Sequence, residues 1–210
     1  FTELSPREVF VLSMEDVLLP AKEKGIDLEV DVPMVLPKII GAPNRLRQVF
    51  TNLLSNAIKF TPEGGQVIFR AEDRPDHLRV EVIDTGPGIA PEHMPYIFEA
   101  FYRPPDTEEK GLGLGLSIVK RIVDAHRGKI IAESPYPPDG EGGTRMLVLL
   151  PKDPLGQPLQ EISEVAYGSI AGLRSVVKQP EGSKQEVDKD TSKQVDKGSS
   201  DEHSYHSLSL

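Results

Sequence analysis

The sequence predicts an α/β fold in which helices alternate with the strands of a mixed sheet. Three stretches have the spacing of amphipathic helices, at residues 6–24, 45–60 and 117–126. Five others have the alternation or the apolar content of strands, at residues 26–32, 66–71, 78–83, 129–133 and 144–150. Together they predict one domain over residues 1–152.

The first two elements are a helix and a strand. We expect Ser5 to be the N-cap of the helix, Pro6 its first residue, and Glu8 the partner of Ser5 in a capping box. This helix is predicted to run to about Lys24. Residues 26–32 then alternate apolar with acidic side chains, which predicts a strand with one buried face that ends at Pro33.

The second helix, which we expect Asn44 to cap, separates polar from apolar side chains. At about 100° per residue, one stripe contains Arg45, Gln48, Asn52, Asn56 and Lys59. The opposite side contains Leu46, Val49, Phe50, Leu53, Leu54, Ala57 and Ile58. Two carboxamides and an ammonium in line suit a nucleotide-bound Mg²⁺ and its phosphates, because Mg²⁺ accepts oxygen ligands from protein and phosphate together. A merely solvated helix face is the alternative, and the aligned Lys59 favours binding.

The remaining elements surround a long loop. Residues 66–71 and 78–83 are predicted to pair as neighbouring strands, after a turn at residues 61–65. Between Gly86 and Gly111 the chain has five prolines and few regular apolar repeats, which predicts a loop that could act as a lid. A helix over residues 117–126 follows, with Gly128 at its stop position. Two strands then complete the domain.

The composition changes after residue 152. We interpret residues 153–178 as a linker with a possible short helix from Ile162 to Val176, weakened by two glycines. Residues 179–210 are polar and charged with almost no apolar side chains, which predicts a disordered tail.

Composition also excludes several classes of function. The chain has no Cys, so disulfides and thiolate metal sites are excluded. Its longest apolar runs are far below the length of a membrane span, and the N-terminus lacks a signal-peptide pattern. A net charge of -9 with scattered Lys and Arg argues against nucleic acid as a partner. We therefore expect a soluble segment.

Two glycine motifs could hold a nucleotide. Asp84 follows a strand directly, so its carboxylate could accept a hydrogen bond from the adenine amine while Gly86 and Gly88 allow close backbone approach; an ordinary turn is the alternative. The G-L-G-L-G-L-S stretch at 111–117 precedes a helix, where free backbone amides favour phosphate; a hinge is the alternative. It matches neither a Rossmann fingerprint nor a Walker loop.

Four motifs follow one another along the chain: N-x-x-x-N-A-I-K-F at 52–60, D-T-G-x-G-I at 84–89, F-x-x-F-Y-R at 98–103 and the glycine motif at 111–117. In this order they resemble the motifs of the catalytic ATP-binding domain of sensor histidine kinases. Gly143-Thr144 matches the last short motif of that family. The resemblance implies a two-layer α/β sandwich of the Bergerat type, shared with gyrase, heat-shock chaperones and mismatch-repair ATPases. Its mixed, mostly antiparallel sheet would have about five strands, covered on one face by about three helices.

The resemblance also implies roles for individual residues, with ATP and Mg²⁺ as the cofactors. Asn56 would bind Mg²⁺ with help from Asn52, and Lys59 would contact phosphate, so these three residues would form the catalytic group. The nucleotide base would be bound by Phe60, Asp84, Gly86, Gly88, Ile89 and Thr144. The lid over the phosphates would comprise Arg103, Gly111, Leu112, Gly113, Leu114, Gly115 and Leu116, with Phe98 and Phe101 as its anchors.

The implied reaction is protein histidine phosphorylation. The γ-phosphoryl group would pass from Mg·ATP to a His on an upstream dimerisation helix, and from there to an Asp of a response regulator receiver domain. No hairpin with such a His precedes Phe1, so we expect this chain to be a fragment of a homodimeric kinase. None of its own five His residues has an acceptor context.

The sequence departs from the family pattern at two positions, and two other functions are compatible with the motifs. Ala42 stands where many relatives have Asp, and Asn52 stands where the superfamily's ATPases commonly have a water-activating Glu. Asn52 cannot act as that base, so the site should protect ATP from hydrolysis until a nucleophile is presented. The alternatives are a nucleotide-sensing module without phosphotransfer and a serine kinase of the anti-sigma type.

Overall fold

The computed structural model describes residues 1–105, 111–154 and 156. Its helices are α1 Pro6–Glu23, α2 Pro43–Phe60 and α3 Gly115–Ala125. Its strands are β1 Thr2–Leu4, β2 Asp27–Asp31, β3 Ile39–Gly41, β4 Gln66–Asp73, β5 His77–Asp84, β6 Lys129–Glu133 and β7 Thr144–Pro151.

Five strands form one mixed sheet in the order β2-β4-β5-β7-β6. Only β2 and β4 pair in parallel, and the other three pairings are antiparallel, including the predicted pairing of β4 with β5. The register of β5 against β7 places Asp84 opposite Thr144. Two predicted site residues therefore lie opposite each other where β5 ends and β7 begins.

The hydrophobic core lies between this sheet and the three helices. Alternate residues of β4, β5 and β7, such as Phe69, Val80 and Val148, join the apolar sides of the helices in one buried cluster. Phe10 of α1, Phe50 of α2 and Phe69 pack edge to face, with ring centroids 5.1 to 5.8 Å apart. The predicted mixed sheet of five strands with three covering helices is confirmed.

The two short strands β1 and β3 were not predicted. They pair antiparallel as a separate two-stranded sheet, and each has only three residues. A strand of this length shows at most one alternation of apolar and polar side chains, so it leaves no periodic signal.

The predicted N-cap and first residue of α1 are confirmed without the capping box, and the predicted N-cap of α2 is wrong. Ser5 occupies the N-cap position of α1 and Pro6 follows it, but the Ser5 side chain makes no capping hydrogen bond. Helix α2 begins at Pro43, so Ala42 and not Asn44 is its N-cap. The fixed φ of proline and its missing N–H suit the first helical position, which explains why Pro43 starts the helix.

The ends of α3 also differ from the prediction. The helix begins at Gly115, within the glycine motif. At its end Arg127, with φ 53°, takes the left-handed conformation expected of a stop glycine. Gly128 serves a different purpose, because a Cβ there would lie 2.5 Å from the carbonyl oxygen of Leu149.

Strand β2 is only partly buried. Ile26, just before β2, is buried and Leu28 is half-buried, but Val30 is 54% exposed. The prediction of one continuous buried face is therefore wrong for the second half of this strand. Because β2 is an edge strand, its far end lies at the margin of the sheet, where less of the molecule can cover it.

The predicted helix at 162–176 and the predicted tail at 179–210 lie outside the described residues. In the part that the structure does describe, no helix combines the length and apolar character needed to cross a membrane.

Candidate functional site

A cavity of about 970 Å³ lies between α2, the adjoining ends of β5 and β7, and the loop that connects β5 with α3. The polar side of α2 forms one wall and the glycine motif at 111–115 forms another. Of the predicted site residues, all but Gly86, Phe98 and Phe101 line this cavity. Motifs that are separated by up to 92 residues in sequence, from Asn52 to Thr144, therefore share one space.

The polar stripe of α2 faces the glycine motif directly. The Asn52 Nδ2 atom donates a long hydrogen bond of 3.5 Å to the carbonyl of Gly115. A Cβ on Gly115 would lie 3.7 Å from the Asn56 Nδ2 atom, and one on Gly111 would lie 3.5 Å from the Lys59 Nζ atom. The carboxamides and the ammonium are thus close to the backbone that begins α3.

Asp84 is a buried carboxylate at the end of β5. It is only 9% exposed, and its Oδ1 atom accepts a hydrogen bond of 2.9 Å from the Gly86 N–H. Burial raises the pKa of Asp84 to about 6, although hydrogen bonds from the backbone of Gly86 and Thr144 lower it. The buried carboxyl group lines the cavity, where it can accept a hydrogen bond from a donor group of a bound ligand.

The loop after Asp84 is held by a residue that the sequence analysis missed. The Ser134 Oγ atom accepts a hydrogen bond of 2.7 Å from the Ile89 N–H and donates one of 3.0 Å to the carbonyl of Gly143. Gly88, with φ 80°, faces Ser134 so closely that a Cβ would lie 2.8 Å from the hydroxyl. One serine after a strand carries no sequence signal of this contact.

The predicted lid anchors behave differently from each other. Phe98 is half-buried and packs against the core. Phe101 is 73% exposed, so its ring does not anchor the loop as we expected. Instead, its backbone N–H donates a hydrogen bond of 2.9 Å to the carbonyl of Gly113. A Cβ on Gly113 would lie 2.8 Å from the Phe101 carbonyl carbon, so glycine is required for this approach.

The cavity wall also contains residues that were not predicted as site residues, among them Lys24, His93 and Tyr102. The His93 Nδ1 atom lies 2.8 Å from the Tyr102 Oη atom, at hydrogen-bond distance. The Lys24 ammonium donates hydrogen bonds to the carbonyls of Ile58 and Lys59, so it satisfies the C-terminal end of α2. The periodic signal of α2 could not reveal these partners, because they belong to other elements.

The chain matches the family of histidine kinase-, DNA gyrase B- and HSP90-like ATPases over residues 41–154. The matched segment contains α2, all four motifs and every residue of the cavity lining except Lys24. The chain belongs to this family.

Relatives and solved structures agree with this assignment. The chain is 40% identical over 123 residues to the adaptive-response sensory kinase SasA of Prochlorococcus marinus. The aligned segment covers 57% of this chain and 32% of that protein. A mycobacterial sensor histidine kinase, MprB, superposes with a TM-score of 0.62 at 33% identity, over 73% of this chain and 98% of that one. The histidine kinase ThkA in complex with the response regulator TrrA gives a TM-score of 0.62 at 28% identity, over 75% and 43% of the two chains.

The chain spans only 20% to 38% of the length of the first curated relatives.

Proposed function

We propose that this chain is the ATP-binding catalytic domain of a sensor histidine kinase. It would transfer the γ-phosphoryl group of Mg·ATP to a His on a dimerisation helix outside this chain, for relay to an Asp of a response regulator. The observation that carries the proposal is the convergence of Asp84, Asn56, Lys59 and the glycine motif on one cavity. Asp84 would accept from the base at one wall, and Asn56, Lys59 and the glycine motif would contact the phosphates at the others.

Recognition of the base would depend on Asp84. Its carboxylate would accept from the exocyclic amine of adenine, which guanine lacks at the equivalent position. Gly88 and Ile89 would supply the backbone under the base, with Phe60 and Thr144 beside it. The glycine motif would cover the phosphates, since the first N–H groups of α3 have no partner within the helix.

A magnesium ion fits the residues that are present. Among the described residues, no three acidic, His or Cys side chains form a metal cluster, so the protein does not offer a cage of its own. Asn52 and Asn56 are half-buried and line the cavity, where their carboxamide oxygens would complement phosphate oxygens as ligands. Bound there, magnesium would neutralise charge on the phosphates.

The catalytic mechanism would consist of positioning rather than activation of water. A carboxamide has no basic group at neutral pH, so Asn52 cannot remove a proton from water. Asn56 and Lys59 would hold the phosphates in line with an incoming nucleophile, which must be presented by another segment. ATP would therefore be hydrolysed slowly when no acceptor is present.

The proposed partners follow from this reaction. The acceptor hairpin would dimerise the full-length protein, and a receiver domain would take the phosphoryl group, as the complex of ThkA with TrrA suggests by analogy. We propose a cytoplasmic location for the same reason.

The proposal is tested by supplying a dimerisation hairpin of a related sensor kinase in trans with Mg·ATP. We expect acid-labile phosphate on the hairpin His, and little ATP turnover without the hairpin. Acid-stable phosphoserine would favour the serine kinase, and ATP binding without transfer to any hairpin would favour the sensing module. Calorimetry that detects no ATP binding at millimolar concentration would reject all three.

A further inference from the structure

One hydroxyl joins the loop at residues 85–89 to the connection between β6 and β7. Ser134 directly follows β6, and its Oγ atom accepts from the Ile89 N–H at 2.7 Å while donating to the Gly143 carbonyl at 3.0 Å. Gly143 in turn donates its N–H to the carbonyl of Gly86 at 2.7 Å. Both ends of the 85–89 loop are therefore held by one short segment.

The contact between Ser134 and the loop is also sterically tight. At Gly88 a Cβ would lie 2.8 Å from the Ser134 Oγ atom, and φ is 80°. Gly88 and Ile89 line the cavity beside Asp84, whereas Ser134 does not line it. The hydroxyl therefore supports the cavity floor from behind.

We propose that Ser134 is a positioning residue for the base of the bound nucleotide. This inference rests on the proposed function, because it assigns the base to the space between Asp84 and the 85–89 loop. Without the hydroxyl, the Ile89 N–H loses its partner, and the Gly143 carbonyl keeps only the hydrogen bond from the Tyr136 N–H. The loop is then free to shift relative to Asp84. Adenine would then lose the alignment that distinguishes it from guanine.

The test compares three variants by calorimetry with ATP and with GTP. We expect Ser134→Ala to weaken ATP binding about tenfold, as the loss of one part-buried hydrogen-bond partner would. The preference for ATP over GTP should narrow by a similar factor. Ser134→Thr retains the hydroxyl and should restore much of that preference.

Ser13→Ala is the matched control for stability. Ser13 is fully buried in α1, donates to the Val9 carbonyl at 2.8 Å and does not line the cavity. This variant should lower the midpoint of urea unfolding without changing the preference for ATP. An unchanged preference in Ser134→Ala, or an equal loss in Ser13→Ala, would overturn the proposal.

A measurement on the unmodified protein covers the case in which Ser134→Ala does not fold. The Ile89 amide should be protected from hydrogen exchange in the nucleotide-free chain, because it donates to Ser134. Exchange at the rate of an unstructured peptide would contradict the proposal. A wild-type chain that fails to bind ATP would instead defeat the proposed function, whatever the Ile89 amide shows.

Discussion

At the scale of single residues, the cavity combines a buried acid with amides and an ammonium that the chain keeps apart in sequence. Asp84 is only 9% exposed and accepts a hydrogen bond from the Gly86 N–H. Burying a carboxylate with so few partners costs free energy that only a bound ligand could recover. This is the pattern of a site in which function opposes stability.

Asp84→Asn should therefore stabilise the protein above about pH 6. The folded-state pKa of Asp84 is raised from 3.8 to about 6, so its contribution to stability is present below 3.8 and is lost as pH rises to 6. At neutral pH the gain on substitution is up to about 3 kcal/mol, from roughly 1.4 kcal/mol per pKa unit. Urea unfolding of both proteins at acid and neutral pH measures this difference. A gain in unfolding free energy that persists below pH 3.8 would contradict the prediction.

The affinity for ATP should fall as the solution is acidified through pH 6. Protonation removes the negative charge of Asp84 and turns one of its oxygens into a donor, and the pKa of this group in the free protein is about 6. The terminal phosphate of ATP titrates in a similar range, so the control is Asp84→Asn, in which only the phosphate effect remains. Calorimetric titrations of both proteins across this range should give a steeper acid loss for the wild type, and parallel curves would argue against Asp84 as the base ligand.

Asn56→Ala should weaken Mg·ATP binding by about tenfold or more, because the ion would lose one of its few protein ligands. ATP with excess chelator should bind both proteins with similar affinity. Ser55→Ala, an exposed neighbour on the same helix, is the matched control and should change neither value. If Asn56→Ala lowered the affinity for ATP equally with and without magnesium, Asn56 would not be a metal ligand.

At the scale of elements, α2 is held at both ends by residues from other parts of the chain. The Lys24 ammonium satisfies carbonyls at its C-terminal end. At the other end, the Ala42 N–H donates to the His126 Nε2 atom at 3.0 Å, while the His126 Nδ1 atom donates to the Ile122 carbonyl at 2.8 Å. His126 therefore couples α3 to the start of the helix that carries the proposed catalytic residues.

His126 should make folding stability depend on acid. Its pKa is lowered from 6.5 mainly by burial, so its contribution to stability is present above 6.5 and is lost as pH falls through the lowered folded value. Protonation of Nε2 also removes the acceptor for the Ala42 N–H. The difference in unfolding free energy between wild type and His126→Gln should shrink on acidification below 6.5. Because Asp84 contributes the opposite trend, the two proteins must be compared at each pH.

At the scale of the whole molecule, stability depends on the layer where helices meet the sheet. Three Phe side chains, one each from α1, α2 and β4, pack edge to face in this layer: Phe10, Phe50 and Phe69. Each is 3% exposed or less. Their contact fixes α2 against the sheet. The polar stripe on the opposite side of α2 can therefore face the cavity.

Phe50→Ala should cost about 3 to 5 kcal/mol of unfolding free energy, through lost apolar burial and the cavity that remains. Urea denaturation followed by circular dichroism measures the loss. Phe101→Ala is the control, because this ring is 73% exposed and the change should stay within about 0.5 kcal/mol. Similar costs for the two variants would contradict the described packing.

The features that sequence alone determined are those repeated along one element or concentrated in one short motif. Burial of one side of α2 recurs every three or four residues, so the helix and its polar stripe could be predicted from spacing. The order of four motifs was sufficient to indicate the family and the fold. Asp84 and the glycine motif were found because each lies next to an element boundary that the pattern already marked.

Tertiary structure alone decided the strand order and the residues that support the site from outside it. The bond from Ile89 to Ser134 spans 45 residues, and the bond from Ala42 to His126 spans 84. Neither repeats, so neither produces a period, and an isolated Ser or His looks the same whether it supports a loop or faces water. Likewise, exposure of the Phe101 ring follows from the path of the backbone rather than from the motif that contains it. Local patterns record which side of an element is buried, while the partners across the core are chosen only when the elements pack.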